Sequence, residues 1–198
     1  MSNLLIGFDD LSSFPVDQQK ILVKHFIGPF VFLEGGFKSI NRNIWVLPSD
    51  DYVDCDQPEM FYKDSEDEDD SKGRKAYETF KPYWSLNRNI LKVPMDETKL
   101  DKFEFLFLCA LVFWDFGLSN QTEDSIAKCQ KLKTSILEEL SSYEKSNFRG
   151  DASYRVAQIV IILQAVQRSF DLLSETLEVS LLYDIFEHHS SLFDTIPK

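Results

Sequence analysis

Twelve consecutive residues, Phe103 to Trp114 (FEFLFLCALVFW), contain one charged side chain, Glu104. The run is too short to cross a bilayer, which takes about 20 apolar residues. It is also too apolar for a surface helix. It predicts a helix at the centre of an all-helical core, covered on nearly every side. A lone carboxylate in such a helix needs a partner. The block closes the longer stretch Phe80 to Leu118, in which FKPYW reads as an aromatic turn and Pro94 as a stop. Asp96 to Lys102 reads as a charged lead into the apolar block.

At 198 residues the chain is long enough to bury one sizeable core. A hydrophobic content of 43% with 17 Phe is the composition of a packed protein rather than a disordered one. Seven Gly and seven Pro are too few for the many tight turns of an all-β fold. The formal net charge of −12 argues against direct nucleic-acid binding, because phosphates demand a positive surface. Asp64 to Asp70 alone supplies six acids in seven residues. The cysteines, Cys55, Cys109 and Cys129, are unclustered and odd in number, so neither a zinc site nor a disulfide framework is expected. The first 30 residues lack a basic start followed by an apolar region and cleavage site, so a reducing intracellular compartment is expected. Asn120-Gln121-Thr122 is then a chance sequon.

Apolar positions at Ile21, Leu22, Phe26, Phe30, Leu33, Phe37 and Ile40 follow the helical period after Ser13-Phe14-Pro15. Gly28-Pro29 interrupts them, which leaves either one kinked helix or two short ones. Trp45 to Pro48 is a short extended piece, half of a small β-turn near 44–54. From Asp50 to Arg74 the chain is acidic and aperiodic, a solvated loop. Helical patterning returns over Ala76–Leu91 and Lys99–Trp114. Asn120 to Asp124 is rich in acids suited to a helix N-terminus, and the helix it opens ends near Tyr143. The longest helix starts near Asp151 and runs to about His188, with a break near Glu175.

Catalytic signatures such as HExxH, GxSxG, a Walker loop or a dinucleotide glycine pattern are not found, and an enzyme is not expected. Gly35-Gly36 predicts a kink or a close helix contact rather than a phosphate cradle. His188-His189 point to different helix faces, so no metal or other cofactor is implied. Glu104 and Arg155 are each charges set among apolar residues. Either they pair and tie two helices together, or both reach solvent.

FKPYWSLNRNIL, VPM, LDKFEFLFLCALVFWD and the trailing GL resemble, in order, the ligand-binding domain of nuclear hormone receptors, especially the nematode-expanded branch. Asp17-Gln18-Gln19-Lys20-Ile21-Leu22 resembles the family's DQxxLL signature, with Phe26 where a tryptophan is usual. The resemblance covers about Leu11 to Ile196. It implies a single domain over 1–198, built as a three-layer antiparallel helical sandwich with its N-terminal helices truncated or degenerate. It places Glu104 and Arg155 at the family's helix-to-helix ion pair.

The resemblance further implies a receptor that regulates transcription in the nucleus, without membrane or direct nucleic-acid contact and without its own zinc module. Its partners would be a small lipophilic ligand against Phe26, Phe30, Leu33 and Phe37, and LxxLL-type coregulator helices. The coregulator groove would use Val16, Gln19, Lys20, Val23 and Lys24 together with Leu192, Phe193 and Asp194. Thr195 stands where the family has its clamp glutamate, which implies a weak or repressive partner mode. The long helix, 154–183, would carry homo- or heterodimerisation. Two other classes remain open: a lipid carrier, and a helical scaffold with a filled core and no ligand.

Overall fold

A computed structural model describes residues 8–63, 71–148 and 150–182 of the chain. The elements are α1 (Phe8–Ser12), α2 (Val16–Lys38), β1 (Ile44–Val46), β2 (Tyr52–Asp54) and a 3-10 helix (Pro58–Tyr62). There follow α3 (Ser71–Asn87), a π-helical turn (Arg88–Lys92), α4 (Val93–Thr98), α5 (Lys102–Phe113), α6 (Glu123–Asn147) and α7 (Ala152–Leu182). The fold is that of the helical sandwich expected from the sequence, with one two-stranded antiparallel sheet, Trp45 paired with Val53. The chain forms two compact units: residues up to Phe30 with Leu100–Leu163, and Val31–Lys99 with the residues from Gln164 onward.

In the first unit, α5 starts on a capping box. The Asp101 carboxylate accepts from the Phe103 and Glu104 amides at 2.7 and 2.9 Å, and Glu104 Oε2 accepts from the Asp101 amide at 2.6 Å. This reciprocal arrangement satisfies amides that every helix start leaves orphaned. Phe107, Leu108, Leu111 and Trp114 then go into the core. The expected burial on nearly every side is corrected here. Phe103 and Leu106 remain 42% and 38% exposed, because the inward residues recur on one side of the helix. α6 opens with Thr122, whose hydroxyl accepts from the Ser125 amide at 3.3 Å. It runs to Asn147 rather than stopping near Tyr143.

In the second unit, two sequence expectations about prolines fail. FKPYW is not a turn but lies inside α3, with Pro82 in mid-helix. Pro94 does not stop a helix: the backbone keeps helical dihedrals from α3 through the π-helical turn into α4, and that wider turn accommodates the missing amide. Phe80 and Tyr83 are both buried at helical spacing, and this packing outweighs the lost hydrogen bond at Pro82. α4 ends at Lys99, left-handed at φ 50°. The stretch read as loop from Asp50 instead contributes β2 and the 3-10 helix, in which Tyr62 accepts a hydrogen bond from the Trp84 indole at 2.8 Å. Asp64 to Asp70 lies outside the described residues.

α2 is one helix through Gly28-Pro29, not two. Its C-terminal part meets β1 through Gly35 and Gly36. A Cβ on Gly35 would stand 2.7 Å from the Val46 carbonyl oxygen, and one on Gly36 2.8 Å from Met95 Cε. Ser39 locks the contact: its hydroxyl donates to the Gly35 carbonyl at 2.6 Å and accepts from the Val46 amide at 2.9 Å. In an open helix, Gly→Ala would gain about 0.5–1 kcal/mol. Here Gly35→Ala should cost about 1–3 kcal/mol from overpacking against backbone, read as a lower urea midpoint. A gain in stability would contradict this contact.

α7 is continuous past Glu175, so the expected break there is absent. Ala152–Ser180 is long and apolar enough to cross a membrane by length and composition alone. Ile159 and Ile162 in the first unit, and Val166 and Leu177 in the second, are buried against protein.

Candidate functional site

Two features of the first unit concentrate its chemistry: the outer face of α2 and the buried charge cluster where α5, α6 and α7 meet. On α2, inward and outward residues separate cleanly. Gln18 and Leu22, one turn apart, are buried, and Phe14 just before the helix stacks on Trp114 at 5.5 Å. Gln18 acts as a bracket. Its amide donates to the Asn120 carbonyl at 3.2 Å and its oxygen accepts from the Thr122 amide at 3.0 Å. With those residues turned inward, Val16, Val23 and Ile27 face outward at 65%, 41% and 43% exposure. Their spacing places all three on one stripe, with exposed Lys20 and Lys24 beside it. Gln19 lies at the stripe's edge, half-buried, donating to the Phe14 carbonyl at 2.8 Å.

The helix is pinned again at His25, about one turn beyond Leu22. His25 Nε2 lies 3.2 Å from Asp115 Oδ2, and Lys133 Nζ lies 2.7 Å from Asp115 Oδ1. Burial pushes the Asp115 carboxyl up, but the hydrogen bonds from His25 and Lys133 outweigh it and hold the group down at about 2. The outward stripe therefore sits on a helix fixed at Gln18 and at His25.

Of the residues expected at a partner groove, Val16, Lys20, Val23 and Lys24 share the outer face of α2 and Gln19 borders it. Leu192, Phe193 and Asp194 lie outside the described residues. Of those expected to meet a ligand, Phe26 packs on Phe30 (5.0 Å between rings) and edge-on to Phe113 (5.3 Å) in the first unit. Leu33, fully buried, and Phe37, half-buried, belong to the second unit. A cleft of about 450 Å³ lies beside the 3-10 helix and α3, but Glu59, Tyr62, Lys63, Arg74, Tyr77 and Glu78 line it. Those walls are polar, and none of the four expected ligand residues is among them.

Glu104 and Arg155 come together in a two-pronged pair: Nε donates to Oε1 at 2.6 Å and Nη2 to Oε2 at 2.7 Å. Both side chains are buried, and the guanidinium lies over the Phe148 ring at 5.6 Å. Such a fork fixes direction as well as distance. Sequence reasoning missed what surrounds it. Asp101 was legible, because Asp-x-x-Glu ahead of an apolar run is a capping-box signature. Glu144 was not: it follows Glu138 and Glu139 on a polar-looking helix, yet is 2% exposed.

Residues 1–183 match the family described as the ligand-binding domain of nuclear hormone receptor. The chain is 42% identical over 194 residues to nuclear hormone receptor family member nhr-42 of Caenorhabditis elegans, covering 98% of this chain and 54% of that protein. Family members nhr-108 and nhr-86 of the same organism are 35% and 36% identical, covering 94% and 96% of this chain and 55% and 48% of theirs. The chain thus spans about half the length of these relatives. This match, over a helical sandwich tied by the Glu104–Arg155 fork, identifies the chain as a member of the nuclear hormone receptor family, within its ligand-binding domain.

Proposed function

We propose that this domain regulates transcription in the nucleus by engaging a short apolar helix of a coregulator on the outer face of α2. The observation that supports this most is the exposed stripe Val16, Val23 and Ile27 with Lys20 and Lys24 along its side. An amphipathic LxxLL helix buries apolar side chains at i, i+3 and i+4 on such a surface. A lysine at the end of the groove meets the negative end of the incoming helix dipole. A lipophilic small molecule against Phe26 and Phe30 is the second partner in this reading, and dimerisation through α7 the third. Tyr154, Ile161 and Val179 are 64%, 58% and 44% exposed and are spaced by whole helical turns.

A fluorescence titration with an LxxLL peptide tests the first claim. Binding should be saturable, and Lys24→Glu should weaken it at least about tenfold, or 1.4 kcal/mol. No binding up to about millimolar concentration, with Lys24→Glu indistinguishable from wild type, would remove coregulator engagement. Lipophile found by native mass spectrometry of that same non-binding protein would favour the carrier alternative.

A further inference from the structure

The Glu104–Arg155 fork accounts for one acid and one base, but a second buried acid stands against it. Glu144, in the last turn of α6, is 2% exposed, and its Oε1 has no hydrogen-bond partner. Its carboxyl lies within hydrogen-bonding reach of Glu104. Two carboxylates cannot bond to each other without a proton between them. The guanidinium carries one positive charge, already set in a fork against Glu104, and cannot neutralise two carboxylates. Among the described residues, the other groups facing the cluster do not help. Asp101, from the start of α5, is a further acid, and it takes its own hydrogen bond from the Tyr143 hydroxyl at 2.8 Å. Tyr143 is held neutral, pushed up to about 12 by desolvation and by the Asp101, Glu104 and Glu144 carboxyls.

We propose that Glu144 is kept as the neutral acid in the folded protein near neutral pH, donating its proton to Glu104, so that the α5–α6–α7 junction is a proton-dependent clasp. Loss of that proton sets Glu144 against Glu104 in competition for Arg155, and leaves two anions facing one cation among the described residues.

The sign follows from linkage. Desolvation first, and the Glu104 charge second, push the Glu144 carboxyl up to about 7, above its value in an unfolded chain. The folded state therefore binds this proton more tightly. Its contribution to stability is complete below the ordinary carboxylate range and is lost as pH rises through about 7. Within that window, one proton changes the folded-to-unfolded ratio by up to about tenfold per pH unit.

Wild type and Glu144→Gln are to be unfolded in urea at about pH 5, 6, 7 and 8.5. Glutamine keeps the shape and a donor toward Glu104 but cannot ionise. The wild-type midpoint should fall relative to that of Glu144→Gln as pH rises, and the variant should be the more stable at the top of the range. Titrations of groups remote from the cluster are common to both proteins and cancel. Infrared difference spectra between the two proteins at neutral pH provide a second readout: wild type should show a protonated-carboxyl stretch that the variant lacks. Parallel midpoint curves, or a difference spectrum with no such band, would overturn the proposal. If Glu144→Gln does not fold, the carboxyl band of wild type still decides the matter. Its disappearance between about pH 6 and 8.5 is the expected result, and its absence throughout is the contrary one.

Discussion

Arg155→Ala is expected to lower the free energy of unfolding by about 3–5 kcal/mol, far above the ~1 kcal/mol of an average substitution. The size comes from what remains behind rather than from the attraction lost. Glu104 is 3% exposed, and without the guanidinium it keeps the Asp101 amide as a donor but loses its counter-charge. Arg155 also covers the Phe148 ring, and alanine removes that contact as well. Urea unfolding measures the change. Placing Arg155→Ala in a Glu104→Gln background should recover much of the loss, because the stranded charge is gone. A single-mutant change near zero would mean that the fork contributes nothing to stability.

Trp114→Ala is the second large effect, expected at about 3–5 kcal/mol. Trp114 is 1% exposed and caps α5 at its C-terminal end. Phe14 stacks on it at 5.5 Å and Phe113 meets it edge-on at 4.8 Å. Removing the indole opens a cavity beneath Phe14, immediately before α2, and so loosens the start of the helix that carries Val16 and Val23. Thermal melts should show the loss of stability. The peptide titration should show weaker binding even for molecules that remain folded. A stable variant with full peptide affinity would disconnect the aromatic stack from the outer face of α2.

The family and its helical architecture were legible because their signal is dense. An apolar run with one acid predicts a core helix, and an arginine among apolar residues is the natural counter-charge. The Glu104–Arg155 geometry accords with both halves of that reasoning. Prolines were misread where burial on both sides of the residue outweighs a missing amide, as at Pro82 between Phe80 and Tyr83. Pro94 was misread because the π-helical turn that lets the chain run on past a proline leaves no local sign in the sequence. β1 showed through its apolar side chains, whereas β2 was hidden in an acidic stretch with Val53 as its one buried residue. Glu144 illustrates the firmest limit. Whether an acid on a polar helix meets solvent or another acid is decided by residues 40 and 11 positions away, at Glu104 and Arg155, and no local pattern encodes that.

The bracket made by Gln18 has a consequence during synthesis. Thr122, which it holds, is 104 residues further along the chain. At roughly 5–20 residues per second, a ribosome reaches it about 5–20 s after Gln18. Throughout that interval Phe14, Gln18 and Leu22 have no Trp114 or Thr122 to cover them. The segment that carries Val16 and Val23 therefore stays uncovered for its first seconds and is a stretch on which a chaperone would find apolar side chains.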